Sequence, residues 1–283
     1  MANNNTLVKG AVVTTFSLDA TPDGTGDIGD VQNGTSGADA YAFDNTIGGL
    51  SVGDKTFTGF GFNDSLLARA EIFDGNNDGY IVLGANARLD VERSSATKTG
   101  SAQFNMINEA GESIYAVREL GSKTTSVGED ASFVYADAST RVELINAFNS
   151  GANGPLGQSN GLQVNVIEGT VGDDILAATA GVDYFLYDTA LGLNLGGDVI
   201  TGFGLGDRIV TTSEIWNQDL DPFITFGGNR ILDLPGAEGG ISSDPSTNPG
   251  GQIDFNAPND LNLAILGSQL IAGHTYYFYE YVA

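Results

Sequence analysis

Residues 169–210, GTVGDDILAATAGVDYFLYDTALGLNLGGDVITGFGLGDRIV, decide the fold, because they alternate Gly/Asp-rich turns with short apolar runs. A related segment begins at Thr35 and reads TSGADAYAFDNTIGGLSVGDKTFTGFGFNDSLL. Identical residues fall into register at Gly37/Gly181, Asp39/Asp183, Asp44/Asp188, Gly53/Gly197 and Asp54/Asp198 and, after a one-residue slip, at Thr58/Thr201, Gly59/Gly202, Phe60/Phe203, Gly61/Gly204 and Asp64/Asp207. The chain therefore contains an internal duplication.

The duplication extends beyond these segments. The stretch EIFDGNNDGYIVLGANARLDV, from Glu71, aligns without a gap on EIWNQDLDPFITFGGNRILDL, from Glu214. A repeat of this length is a whole domain and not a short solenoid unit. We predict a first β lobe over residues 1–148, a Gly/Asn/Ser linker over 149–160 and a homologous second β lobe over 161–283.

Local patterns predict a mostly β fold with at most one or two short helices. Residues 6–20 favour one or two strands around Gly10, and residues 80–84 and 87–92 favour a hairpin. Good helix formers over residues 138–148 predict a short helix that closes the first lobe. Residues 273–283, GHTYYFYEYVA, predict an aromatic strand.

Composition limits the function. The chain has 36 acidic and 11 basic residues, a formal net charge of -25 and no cysteine. Such a charge repels nucleic acid and attracts divalent cations. The absence of cysteine excludes disulfides and thiolate metal sites. The first residues lack the pattern of a cleaved secretory signal. The sequence also lacks an uninterrupted apolar run of about 18 residues, the length that would predict a membrane span.

The Gly/Asp turns resemble a known family. The stretch GTVGDDILAATAGVDYFLYD is similar to the glycine/aspartate nonapeptide repeats of RTX proteins, which bacteria export by type I secretion. GGDVITGFGLGDRIV is similar to the end of RTX C-terminal domains. The resemblance covers about forty residues in each lobe and implies short β-roll-like turns that bind calcium (Ca2+).

On the pattern of that family, the Ca2+ ligands would be Asp174 and Asp183 in the second lobe and the aligned Asp30 and Asp39 in the first. Ca2+ takes roughly six to eight oxygen ligands, and glycine lets backbone carbonyls approach the ion closely. The alternative interpretation is that these aspartates only close turns at strand ends through hydrogen bonds to the backbone.

A second candidate metal site is the loop DGNNDG, which supplies oxygens from Asp74, Asn76 and Asp78 and resembles the start of a Ca2+ loop of the EF-hand type. Ala85 stands where that type has a bidentate acid. The copy in the second lobe, NQDLDP, keeps Asp219 and Asp221 but has proline in place of the glycine. The alternative is a solvated hairpin loop, since Asn-Asp-Gly also favours turns.

No catalytic motif is recognisable. His274, the one histidine, has no serine or cysteine motif beside it, so we expect it to be a half-buried strand residue and the chain not to be an enzyme. Phe73 and Trp216 occupy aligned positions next to the acidic loop, where an aromatic face beside Ca2+ would hold a sugar. The alternative is that both aromatics belong to the core.

These observations favour an extracellular or bacterial cell-surface protein, exported by the type I route that the RTX resemblance implies. Its expected role is structural: a Ca2+-binding protein that self-assembles into a surface layer, matrix fibre or adhesive scaffold. We also consider that the N-terminal strand pairs with a neighbouring subunit. The alternative function is a Ca2+-dependent carbohydrate-binding module with cell-surface polysaccharide as its partner.

Overall fold

The computed structural model describes residues 7–8, 10–15, 30–46, 52–83, 86–92, 102–124, 131–149, 164–215, 222–225, 231–234, 251–256 and 262–282. The described chain is mostly β and divides into two compact units. One unit is Ala11–Ser139, and the other combines the first ten residues with Thr140–Ala283. We call them the first and the second lobe.

Each lobe contains ten of the described strands in the same order. In the first lobe they are β1 Val12–Thr15, β2 Asp30–Asn33, β3 Asp39–Phe43, β4 Lys55–Thr58, β5 Ser65–Ala68, β6 Tyr80–Val82, β7 Arg88–Asp90, β8 Gln103–Ile107, β9 Ala116–Thr124 and β10 Ala131–Asp137. In the second lobe they are β11 Asn165–Glu168, β12 Ile175–Ala177, β13 Asp183–Tyr187, β14 Gly197–Thr201, β15 Arg208–Thr211, β16 Phe223–Thr225, β17 Ile231–Asp233, β18 Gln252–Asp254, β19 Asn262–Ile271 and β20 His274–Val282. The helix α1 spans Ser139–Asn149.

The two lobes have the same topology. The first has a six-stranded sheet of order β1-β3-β5-β10-β9-β6 and a four-stranded sheet of order β2-β4-β8-β7. The second has sheets of order β11-β13-β15-β20-β19-β16 and β12-β14-β18-β17, so each strand has a counterpart at the same place. This confirms the predicted duplication into two β-rich lobes.

The first five strands of each lobe form a short parallel roll. Strands β1, β3 and β5 pair in parallel in one sheet, whereas β2 and β4 pair in parallel in the other. The chain thus passes from one sheet to the other at every turn. The Gly/Asp motifs occupy these turns, where glycine permits the required backbone conformations.

Aromatic side chains fill the core of the first lobe. Phe57 lies between Tyr41 and Phe104, with ring centroids 4.8 and 5.1 Å away, and all three rings are buried. One face of the second lobe's six-stranded sheet packs on α1, where Leu144 joins Tyr184, Tyr276 and Phe278 in one buried cluster. The helix predicted over 138–148 exists, but it packs with the second lobe and does not close the first.

The predicted hairpin of residues 80–84 and 87–92 does not form. Strand β6 pairs with β9 in the six-stranded sheet, and β7 pairs with β8 in the four-stranded sheet. Consecutive strands here continue to alternate between the two sheets. Strand β1 lies within the predicted N-terminal strand region and pairs with β3 of its own lobe.

Candidate metal-binding turns

Three of the predicted aspartates close turns of the form Thr-x-Gly-x-Asp. The Thr170 N–H and hydroxyl donate to Asp174 Oδ2 at 2.6 and 2.8 Å. Thr35 donates in the same way to Asp39, at 2.6 and 2.9 Å. Thr179 does so to Asp183, at 2.5 and 3.0 Å. These carboxylates therefore cap turns, as the alternative interpretation of the motif expects.

A second set of aspartates links successive turns of each roll. Asp64 Oδ1 accepts from the Asp39 N–H at 2.9 Å. In the second lobe, Asp198 Oδ1 accepts from the Asp174 N–H at 3.0 Å, and Asp207 Oδ1 accepts from the Asp183 N–H at 2.9 Å. Each roll thus pairs carboxylates on successive turns. The pairs are Asp39/Asp64 in the first lobe and Asp174/Asp198 and Asp183/Asp207 in the second.

The linking aspartates are buried, and burial changes their acidity. It raises the pKa of Asp64 to about 7; the N–H groups of Gly61 and Asp39 oppose this rise, and the Asp39 and Glu109 carboxylates add to it. Burial likewise raises the pKa of Asp198 to about 7, with the Asp174 carboxylate adding to the rise. Burial also raises the pKa of Asp207. The folded protein therefore favours the protonated form of these carboxyls more than water does.

Asp198 stands out among these groups. It is 0% exposed, and its Oδ2 and the nearby Tyr187 hydroxyl are both buried without completing a hydrogen bond of good geometry. A Cβ on Gly169 would lie 2.8 Å from Asp198 Oδ2 and 3.3 Å from Asp174 Oδ2, so both oxygens face this glycine. The arrangement leaves a buried acceptor oxygen beside a second carboxylate.

The corresponding position in the first lobe is different. Asp54, the counterpart of Asp198, accepts a hydrogen bond from the Gln103 N–H at 2.8 Å and lies 3.8 Å from the Arg88 guanidinium. Asp30, the counterpart of Asp174, begins β2, and its side chain lies outside the part that the structure describes. In the first lobe, the Asp54 carboxylate therefore has both a hydrogen-bond donor and a positive charge beside it.

In the Asp74 loop, the carboxylates bind the backbone of the loop itself. Asp74 accepts from the Asn76 and Gly79 N–H groups at 3.2 and 2.8 Å. The Asn76 amide donates to Asp78 at 2.7 Å, and Asp78 also accepts from the Tyr80 N–H at 2.9 Å. Gly79 has a φ of 80°, which supplies the sharp turn that the sequence predicts. The loop is a network of Asx turns.

Other acidic groups surround this loop. Burial raises the pKa of Glu119, and the carboxylates of Glu71 and Asp74 add to the rise. Yet within the described ranges no three Asp, Glu or His side chains are grouped so that they alone would hold a metal ion. A cation at any of these turns would therefore require backbone carbonyls or water as well.

The remaining sequence candidates lie apart from these turns. Phe73 is half-buried beside Asp74, whereas Trp216, Asp219 and Asp221 lie outside the described residues. His274 is partly buried and its Nδ1 lies 2.7 Å from Glu143 Oε2, so it connects β20 to α1. In the part of the chain that the structure describes, no helix is long and apolar enough to cross a membrane.

Sequence reasoning did not select Asp64, Asp198 or Asp207 as candidates, although Asp64/Asp207 and Asp54/Asp198 are among the pairs that reveal the duplication. Each joins its partner across 24 or 25 residues, because the roll brings successive turns together. The signal was the Asp within one residue of the start of each of the strands β2–β5 and β12–β15. No family model, curated protein or solved structure matches this chain.

Proposed function

We propose that this chain is a secreted Ca2+-binding structural protein that self-assembles into an extracellular layer, matrix fibre or adhesive scaffold. The carboxylate pair Asp174/Asp198 carries the proposal. Asp198 Oδ2 is buried, faces only the Tyr187 hydroxyl and lies beside a second carboxylate, which is a costly arrangement for a structure without a cation, since a poorly satisfied buried carboxylate destabilises the fold.

The residues at this turn fit Ca2+ in chemical type. The donors are hard oxygens, namely carboxylates and the carbonyls of glycine-rich backbone, which are the ligands that Ca2+ prefers. We assign Asp174 and Asp198 as ligands, with carbonyls of the surrounding turn and water completing the coordination. Both Asp174 and Asp183 accept hydrogen bonds from their turn threonine, but Asp183 fits less well, because it also accepts from the Asn165 amide at 2.9 Å. Bound Ca2+ would neutralise negative charge and connect two turns of the roll.

One step of the second roll also agrees with the RTX resemblance, whereas the next two steps span 24 residues. Asn165 pairs with Asp183, 18 residues later in the chain, in the first turn of the second lobe. This spacing equals two nonapeptides, and residues 169–177 and 178–186 are two consecutive runs with Thr, Gly and Asp at the same places. Export by a type I system and a position at the bacterial surface belong to the proposal on the basis of this resemblance.

Exposed apolar side chains on edge strands support self-association. Within the described residues, large exposed hydrophobic side chains occur on the outermost strands β1, β2, β6, β12 and β16: Val12, Val13, Val31, Val82, Ile175 and Phe223. Edge strands present unpaired N–H and C=O groups that can pair with another chain. At a net charge of -25, copies repel each other until counterions screen that charge.

The test is particle size by light scattering and electron microscopy, at one ionic strength, with millimolar Ca2+ and then with chelator. We expect ordered polymers that need Ca2+. Polymers that persist with chelator would support the scaffold function and would show that Ca2+ does not control assembly. A compact monomer in both conditions would contradict self-assembly.

The second candidate function is Ca2+-dependent carbohydrate binding. It is favoured by Phe73, which is only half-buried and adjoins the carboxylates of the Asp74 loop. If the protein is a monomer in both conditions, Phe73→Ala should weaken retention on a polysaccharide column. Retention unaffected by this substitution would exclude Phe73 as the binding surface.

A further inference from the structure

Residues 7–10 are held by the second lobe. Val8 forms an isolated antiparallel bridge with Leu193. The Asn194 N–H donates to the Leu7 carbonyl at 2.7 Å, and the Gly10 N–H donates to the Gly192 carbonyl at 3.0 Å. The side chains of Leu7 and Leu193 are both 0% exposed. Leu7, Val8 and Gly10 therefore belong to a short docked segment that forms a single β-bridge and has a buried leucine as its anchor.

The segment is connected to its binding surface only through the first lobe. The chain changes from one compact unit to the other between Gly10 and Ala11, and the whole of Ala11–Ser139 separates the docked strand from the second lobe in sequence. Backbone N–H and C=O groups provide the hydrogen bonds, so the same segment of another copy would make identical contacts. Exchange of an identical element between copies costs little free energy, because every contact is retained.

We propose that residues 7–10 of one molecule dock on residues 192–194 of a second copy of this chain and so join molecules head to tail. Each molecule presents one donor strand and one acceptor surface. A contact between two different surfaces that does not close into a ring produces an open chain. This inference rests on the proposed function, since it names the contact through which the polymer forms, and it identifies the partner as a second copy.

Cysteine trapping tests this contact, because the chain has no cysteine of its own. The variant Val8→Cys/Leu193→Cys places two thiols at directly opposed positions. Because the hydrogen bond joins the neighbouring residues Asn194 and Leu7, Val8 and Leu193 are a non-hydrogen-bonded pair, which is the more closely spaced type in antiparallel strands and suits a disulfide. After assembly and mild oxidation, a non-reducing gel separates the two cases. Exchange predicts a ladder of covalent dimers and larger species, whereas a strand that stays on its own molecule gives a monomer.

The matched control is Ile107→Cys/Ser113→Cys. Ile107 and Ser113 form the other isolated antiparallel bridge among the described residues, with the same hydrogen-bond pattern, but within one local turn. The Ile107→Cys/Ser113→Cys variant should therefore run as a monomer on the non-reducing gel in every condition. A mixture of the single variants Val8→Cys and Leu193→Cys provides a second readout, because it forms a mixed disulfide only between molecules.

Polymers that give only monomer on oxidation would overturn the inference and leave the proposed function intact. Covalent dimers without polymers would support the exchange and contradict the scaffold. If Leu193→Cys does not fold, Leu7→Ser replaces it, because this substitution removes the buried anchor from the donor strand alone. We then expect loss of polymers with an unchanged circular dichroism spectrum, and polymers of normal length would overturn the inference.

Discussion

At the scale of single residues, Asp64 and Asp198 connect folding to pH, one in each lobe. Burial raises the pKa of each from the ordinary value of 3.8 to about 7 in the folded protein. Between these values the native state binds more protons than the unfolded state, so the free energy of unfolding falls as pH rises. The stabilisation is present in full below about pH 4 and is lost as pH rises through about 7.

We predict that, with chelator present, the free energy of unfolding is higher at pH 5.5 than at pH 8, by about 2 kcal/mol for each of the two carboxyls. Urea denaturation followed by circular dichroism measures it. The control is Asp64→Asn/Asp198→Asn, which keeps neutral side chains at both sites and should lose most of this difference. The same pH dependence in wild type and double variant would assign the effect to general charge repulsion instead.

The sequence predicted one half of each carboxylate pair and missed the other. Asp39, Asp174 and Asp183 were visible because Thr, Gly and Asp recur at fixed local spacing. Asp64, Asp198 and Asp207 are their partners only because each roll stacks turns that are 24 or 25 residues apart. Local spacing determines a turn, whereas the partner of a turn depends on the register between strands.

At the scale of the element, one glycine determines how closely two turns of the second roll approach. Gly196 has a φ of 90°, and a Cβ there would overlap the Gly172 carbonyl oxygen. The aligned residue of the first lobe is Val52, which is buried, and there the positive φ of 69° occurs one residue later, at Gly53. The two rolls thus form the aligned turn with different backbone conformations.

We predict that Gly196→Ala destabilises the second lobe by about 2–4 kcal/mol, because it adds a clash with backbone to the strain of a positive φ. The control is Gly206→Ala, since Gly206 has a φ of 94° and its Cβ would meet only Val182 Cγ2, at 3.6 Å. That substitution should cost about 1–2 kcal/mol. Equal losses in urea denaturation would show that the turns do not need their close approach.

Strand positions were more predictable than strand partners. The aromatic strand at the C-terminal end, the helix and the motif strands lie where hydrophobic patterns indicated. The hairpin of β6 and β7 was wrong, because two strand patterns that are adjacent in sequence are compatible both with a hairpin and with strands in two different sheets. The helix α1 was assigned to the wrong lobe for a related reason: sequence order placed it after the first lobe, whereas its buried Leu144 packs on the second.

At the scale of the whole molecule, the duplication retains the framework and changes the turns. In both lobes a buried tyrosine near the C-terminal end of the unit accepts a hydrogen bond from the backbone beside the aligned loop: Ile72 N–H to Tyr135 at 2.7 Å and Ile215 N–H to Tyr279 at 2.8 Å. The carboxylate of the Asp54/Asp198 position, in contrast, lies beside the Arg88 guanidinium in the first lobe and beside the Asp174 carboxylate and the Tyr187 hydroxyl in the second. The lobes share a fold and differ in the groups that surround this carboxylate.

This asymmetry predicts which lobe responds to Ca2+. We expect millimolar Ca2+ to raise the denaturation midpoint of wild type and of Asp54→Asn, but not of Asp198→Asn, because Asp198 is buried beside the Asp174 carboxylate, whereas Asp54 lies beside the Arg88 guanidinium. Trp216, the one tryptophan, belongs to the second lobe in sequence, so its fluorescence reports unfolding there. Magnesium at equal ionic strength is the control for charge screening. A full Ca2+ response in Asp198→Asn, or its loss in Asp54→Asn, would place the cation elsewhere and remove the basis for a site at the Asp174/Asp198 turn.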